Sequence, residues 1–122
     1  MLNELTELPG VVGAASNGDG TYRLDLSAGG SRLATQAEIL DATKAQRIAQ
    51  INAECRARLI ARYGTAEEQV SRSLGIYGTA ERDAMIAGIA DTIDASNTAT
   101  DAILAAATIE AVEAVTVAWP VI

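Results

Sequence analysis

The chain has 122 residues, with 16 acidic against 9 basic side chains and a formal charge of -7, which fits one small acidic domain and not two. Nearly half of it is hydrophobic, yet it has no Phe, one Trp and three Tyr, so the core is expected to be aliphatic and rich in alanine. Zero His removes the commonest general base and neutral metal ligand, the lone Cys55 excludes an intramolecular disulfide and any multi-cysteine metal site, and the acidic balance is poorly suited to gripping phosphate backbones.

The first residues, Met1 to Pro9, carry Glu4 and Glu7 where a signal peptide needs positive charge and an unbroken apolar run, so the chain is expected to be made and kept in a cytoplasm. A strand is predicted over Gly10 to Ser16. It leads into Asn17-Gly18-Asp19-Gly20, a cluster that supplies the positive φ angles of a hairpin loop. Thr21 to Ser27 then alternates with period 2, placing Tyr22, Leu24 and Leu26 on one face and Arg23 and Asp25 on the other. After a turn at Ala28 to Ser31, Arg32-Leu33-Ala34 is long enough for a stub of third strand. Residues 1–34 thus form a small β hairpin or meander that cannot stand alone.

Residues 35–122 read as helical. Thr35-Gln36-Ala37-Glu38 is a capping box, and the helix it opens is expected to reach about Tyr63, with Gly64 as a left-handed cap. Its apolar stripe is Leu40, Ile48, Ile51, Cys55 and Leu59, with Ala37 and Ala45 filling gaps. Tyr63-Gly64-Thr65-Ala66-Glu67 recurs as Tyr77-Gly78-Thr79-Ala80-Glu81, marking two corners around a short helix from about Ala66 to Leu74 that Gly75 ends. Glu68 completes a capping box with Thr65; Arg82 stands at the equivalent place after Thr79, making that cap weaker.

A second long helix is predicted from about Ala80 to Val117, spanning roughly 55 Å against roughly 43 Å for the first. Its broad face holds Ile86, Ile89, Ile93, Thr100, Ile103, Leu104, Ala107, Ala111 and Val115, with the expected break at Ser96-Asn97-Thr98. After Arg82 the chain has no Lys or Arg, whereas the first helix carries more basic than acidic residues, so the two are expected to pair antiparallel with complementary charge. Ala102 to Trp119 is no transmembrane span, because Glu110 and Glu113 stand inside it. The chain therefore reads as one mainly α domain: a long antiparallel helix pair, a short connecting helix and a small N-terminal β element.

No arrangement of side chains points to catalysis. The Asn17 to Gly20 loop imitates a calcium loop but puts Ala15 and Leu26 where carboxylates belong. Asp91, Asp94, Thr98 and Asp101 share a face yet supply too few oxygens for a cation. Cys55 lies in the apolar stripe without a His to act as its base. The glycines at 10, 13, 18 and 20 match neither a dinucleotide fingerprint nor a phosphate loop. No cofactor, metal, nucleic acid or membrane is expected as partner. The end of the chain is the candidate interface: Ile103, Leu104, Val115, Val117, Trp119, Val121 and Ile122 gather the only Trp and several β-branched residues, to be folded back on the small sheet or held by another chain.

Asn17 to Leu26, followed by Ala37-Glu38 and Lys44-Ala45-Gln46-Arg47-Ile48-Ala49-Gln50-Ile51-Asn52-Ala53-Glu54-Cys55, resembles small tail and tail-fibre-associated proteins of bacteriophages. In these a short β segment precedes a helix of the form K-x-x-R-I-x-x-I-N-x-x-C. The likeness covers residues 17–62, and residues 63–122 have no counterpart in it. It implies a non-enzymatic structural protein of a virion, synthesised in the host cytoplasm, that joins other tail proteins by helix packing as a homo-oligomer or multi-copy component. A tail-fibre assembly chaperone not retained in the particle is the alternative within the same biology. A small ligand- or metal-binding domain is the alternative of another class.

Overall fold

The computed structural model of the chain describes residues 1–76 and 78–120. Helices hold 61% of it, arranged as a long helix pair with a short helix between and a three-stranded antiparallel sheet at the N-terminal end. The sheet consists of β1 (Val11–Ser16), β2 (Tyr22–Leu26) and β3 (Ser31–Leu33) in sequential order. Gly18 and Gly20 both take positive φ in the β1–β2 loop, and the Asp19 carboxylate accepts from the Thr21 amide and hydroxyl, which holds it below its ordinary pKa. The loop is thereby satisfied internally. Pairing of Val11 with Leu26 shifts register before Gly13, where an added Cβ would lie 3.2 Å from an Asp25 carboxylate oxygen.

The period-2 reading of β2 holds. Leu24 is fully buried, and Tyr22 and Leu26 pack on the same cluster, while Arg23 and Asp25 pair with each other at 3.2 Å. A five-residue helix, α1 (Leu2–Thr6), precedes the sheet and was not legible beforehand; its Leu5 is fully buried against Val11 and Leu24.

The first long helix, α2 (Gln36–Tyr63), starts at the expected capping box: Thr35 Oγ1 accepts from the Glu38 amide at 3.1 Å, and the Glu38 carboxylate accepts from the Thr35 amide at 2.9 Å. Arg32 adds a two-pronged clasp on the same carboxylate, at 2.7 and 2.9 Å, tying β3 to the helix start. These bonds, led by the Arg32 guanidinium, lower the Glu38 pKa from its ordinary 4.5 to about 2. A carboxyl that binds protons more weakly when folded stabilises the fold fully above pH 4.5, and that contribution disappears as pH falls toward about 2. Glu38→Gln is expected to flatten the pH dependence of urea unfolding in this window, and Thr35→Ala to cost about 1 kcal/mol at neutral pH.

Two faces of α2 are buried, where one stripe was expected. Ile51 and Cys55 face the second long helix, with Leu40, Ile48 and Leu59 partly covered; Ala37 and Ala45 are exposed. Ile39, Ala42 and Thr43 form a separate buried face near the helix start, where Ala42 joins the cluster of Leu5, Val11 and Leu24. The buried Thr43 hydroxyl donates to the Ile39 carbonyl at 2.7 Å, so it carries no unmet polar cost. Gly64 has φ 84° and ψ -170°, a glycine-only extended conformation and not the left-handed cap expected, because the chain must run straight into the next N-cap.

That cap opens α3 (Ala66–Ser73), ended by Gly75 at φ 76°. Thr65 accepts from the Glu68 amide at 3.3 Å, but Glu68 returns to the Thr65 hydroxyl at 3.4 Å and not to its amide, so only half the predicted box forms. The second corner also differs: α4 (Thr79–Ala105) begins at Thr79 itself, with Gly78 as N-cap and no side-chain bond. Tyr77 of the repeat lies outside the described residues.

The predicted single helix from Ala80 to Val117 is two helices. It runs unbroken through Ser96-Asn97-Thr98 and stops at Ala105, because Ala106 turns extended and Thr108 caps α5 (Ile109–Glu113) through a 3.1 Å bond from the Ala111 amide. With 28 and 27 residues, α2 and α4 are matched at about 42 and about 40 Å. They are antiparallel: Lys44 near the start of α2 donates to the Leu104 carbonyl at 3.0 Å, and Tyr63 at its end packs on Gly88.

The buried face of α4 shares only Ile103 with the predicted one. It is Met85, Thr92, Ser96, Ala99 and Ile103, whereas Ile86, Ile93 and Leu104 lie on an exposed flank. Small side chains let the two backbones approach, and the Thr92 hydroxyl is satisfied by the Gly88 carbonyl at 2.8 Å. Charge does not align the pair as expected: none of the ion pairs among the described residues joins α2 to α4.

The Tyr63 ring lies over Gly88. A Cβ there would sit 2.9 Å from Tyr63 Cζ and closer still to the hydroxyl. Alanine is favoured over glycine inside a helix by about 1 kcal/mol, but overpacking costs about 1–3 kcal/mol, so Gly88→Ala is expected to lower stability. Combined with Tyr63→Ala the same change should become neutral or stabilising, a sign reversal that a double-mutant cycle in denaturant measures directly.

Candidate functional site

The candidate interface divides into three parts. Ile103 is fully buried and, with Ile51, Ala99 and Val112, makes up the interior of the helical cluster. Val115, Val117 and Trp119 pack against that same cluster, so the described part of the C-terminal segment folds back on the helices and not on the sheet. Leu104 is 58% exposed. Val121 and Ile122 lie outside the described residues.

The return of the segment follows from the break at Ala106. With the chain released from helical geometry, Val112 on α5 reaches the groove between α2 and α4 and is fully buried. Arg47 donates to the Val115 carbonyl at 3.1 Å, and the Arg58 guanidinium stacks 4.8 Å from the centre of the Trp119 ring while Glu54 accepts two bonds from it, at 2.9 and 3.1 Å. The arginines near the middle and end of α2 thus hold the C-terminal segment. Trp119→Ala, or removal of residues 119–122, is expected to lower the melting temperature by several degrees without changing the sedimenting mass.

Of the large apolar side chains left exposed, three lie on one flank of α4. Ile86 is 49% and Ile93 41% exposed, in line with Leu104 along the helix. Ile60, Val70, Leu74 and Ile76 are also exposed, at the end of the molecule where α2 turns through α3 into α4. Sequence reading put Ile86 and Ile93 on one apolar face with Ile103, of which only Ile103 is fully buried, since it ranks residues by hydrophobicity and most of the helix contact here is made by small ones. The signal that separates them is the polar and small series Gly88, Thr92, Ser96 and Ala99 at helical spacing on the other flank.

The polar constellations stay dispersed. A surface cleft of about 410 Å³ is lined by Glu67, Glu68, Ser71, Arg72 and Glu81, and Arg72 donates out of it to the Tyr63 carbonyl at 3.3 Å. Asp91, Asp94, Thr98 and Asp101 are all solvent-exposed, and among the described residues no three metal-ligating side chains come together. Cys55 is buried in the α2 face that meets α4. No described helix is long and apolar enough to cross a membrane. Compared with known proteins, the chain matches no family model, no curated protein and no solved structure.

Proposed function

We propose that the chain is a non-enzymatic interaction subunit of a bacteriophage particle, a tail or tail-fibre component that joins partner proteins by helix packing. One observation carries this: the helical core is closed by the chain's own C-terminal segment, yet Ile86, Ile93 and Leu104 are left outside on one flank of α4. A closed core has no internal need for three large exposed aliphatics in a row along a helix, and their burial belongs to a contact with another molecule. The resemblance of residues 17–62 to phage tail proteins supplies the biological setting. Mass spectrometry of purified native particles tests it: the chain is expected at a fixed copy number. Its presence in infected cells together with its absence from finished particles identifies the assembly chaperone instead.

A further inference from the structure

The exposed flank of α4 has the period of a coiled-coil seam. Ile86, Ala90, Ile93, Asn97, Thr100 and Leu104 follow one another in alternating steps of four and three, so they stay in line along the helix as a and d positions do. All are at least partly exposed, and none belongs to the buried face that meets α2. Asn97, read from the sequence as a helix breaker, stands mid-helix at an a position. A polar residue there fixes register against a partner helix at some cost in stability.

Charge identifies the partner's chemistry. Asp94 and Asp101 each follow a seam residue and run along its outer edge, while the other edge, with Ile89, Ser96 and Ile103, turns toward α2. No Lys or Arg follows Arg82 in the chain, so the seam offers an incoming helix a purely acidic margin. A second copy docked antiparallel, α4 on α4, would bring Asp94 and Asp101 against their own kind. We infer that the seam binds an amphipathic helix of another protein, apolar at its a and d positions and basic along the edge that meets Asp94 and Asp101. This deepens the reading of the chain as an interaction subunit and rests on it.

The test is calorimetric titration of the full chain with a synthetic helix bearing Ile and Leu at a and d, one Asn at a central a position and Lys at e and g, beside a counterpart with Glu in place of Lys. One Lys helix is expected to bind per chain, at least about tenfold more tightly than the Glu helix, with the difference shrinking as salt rises. Ile93→Ser and, separately, Leu104→Ser should each weaken binding by about tenfold or more while melting like the parent, because both side chains lie outside the core. Equal binding of the two helices, or none by either, overturns the inference. So does a chain that sediments as a dimer and becomes monomeric on Ile93→Ser, since a second copy then covers the seam. None of these results depends on whether the chain is found in particles.

Discussion

Ile51→Asp is expected to leave the chain unfolded at room temperature. Ile51 is fully buried at the centre of the cluster formed with Ala99, Ile103 and Val112, where α2, α4 and α5 meet. Removing the side chain to alanine at such a site costs about 2–5 kcal/mol in lost burial and residual cavity. The aspartate adds a carboxylate to a position lined by aliphatic side chains, which costs several kcal/mol more or forces its protonation. A domain of this kind holds about 5–15 kcal/mol in total, so the sum reaches the whole stability. Circular dichroism with thermal melting checks this, and Ile51→Val, expected to cost about 0.5–1.5 kcal/mol, shows that the effect belongs to the charge and the cavity. Parent-like melting of the aspartate variant would remove Ile51 from the core.

Ending the chain at Ala105 is the second large effect. Residues 106–122 include the fully buried Val112 and the packed Val115, Val117 and Trp119, each covering part of the groove between the long helices. Burying one such side chain contributes about 1.5–3 kcal/mol, so their joint loss exceeds about 5 kcal/mol and exposes Ile51 and Ile103 to water. The shortened chain is expected to retain helical signal while losing its cooperative melting transition and binding a hydrophobic dye. A sharp transition near that of the full chain would mean that the segment is an appendage and the helix pair stands by itself.

Local chemistry was legible in the sequence where it decides structure. Thr35 and Glu38 are a reciprocal pair whose spacing works only at a helix start, Gly18 and Gly20 allow the turn that Asn17 and Asp19 favour, and the alternation around Leu24 admits one burial pattern. Tertiary choices were not. Which flank of α4 is buried depends on how near α2 can come, and close packing preferred Gly88, Thr92, Ser96 and Ala99 over the isoleucines beside them. The break at Ala106 falls in an alanine-rich run without Gly or Pro; its one local sign is Thr108 three residues before Ala111, a cap that lacks the Glu of a full box. Arg32 was assigned to a strand stub, and its clasp on Glu38 emerges only when β3 and the first turn of α2 are set side by side. The C-terminal residues were read as needing cover from the small sheet or from another chain; Val115, Val117 and Trp119 pack on the helical cluster.

The most direct measurement is quantitative mass spectrometry of particles assembled with either the parent chain or the Ile93→Ser variant, after the variant has been found to melt like the parent. On the proposed reading the chain is expected at a fixed ratio to the tail proteins in parent particles and depleted about tenfold or more in variant particles, since Ile93 is an exposed side chain of the proposed docking seam. A folded variant incorporated at the parent's copy number, or a parent chain absent from particles altogether, would contradict a role as a subunit joined through the outer flank of α4.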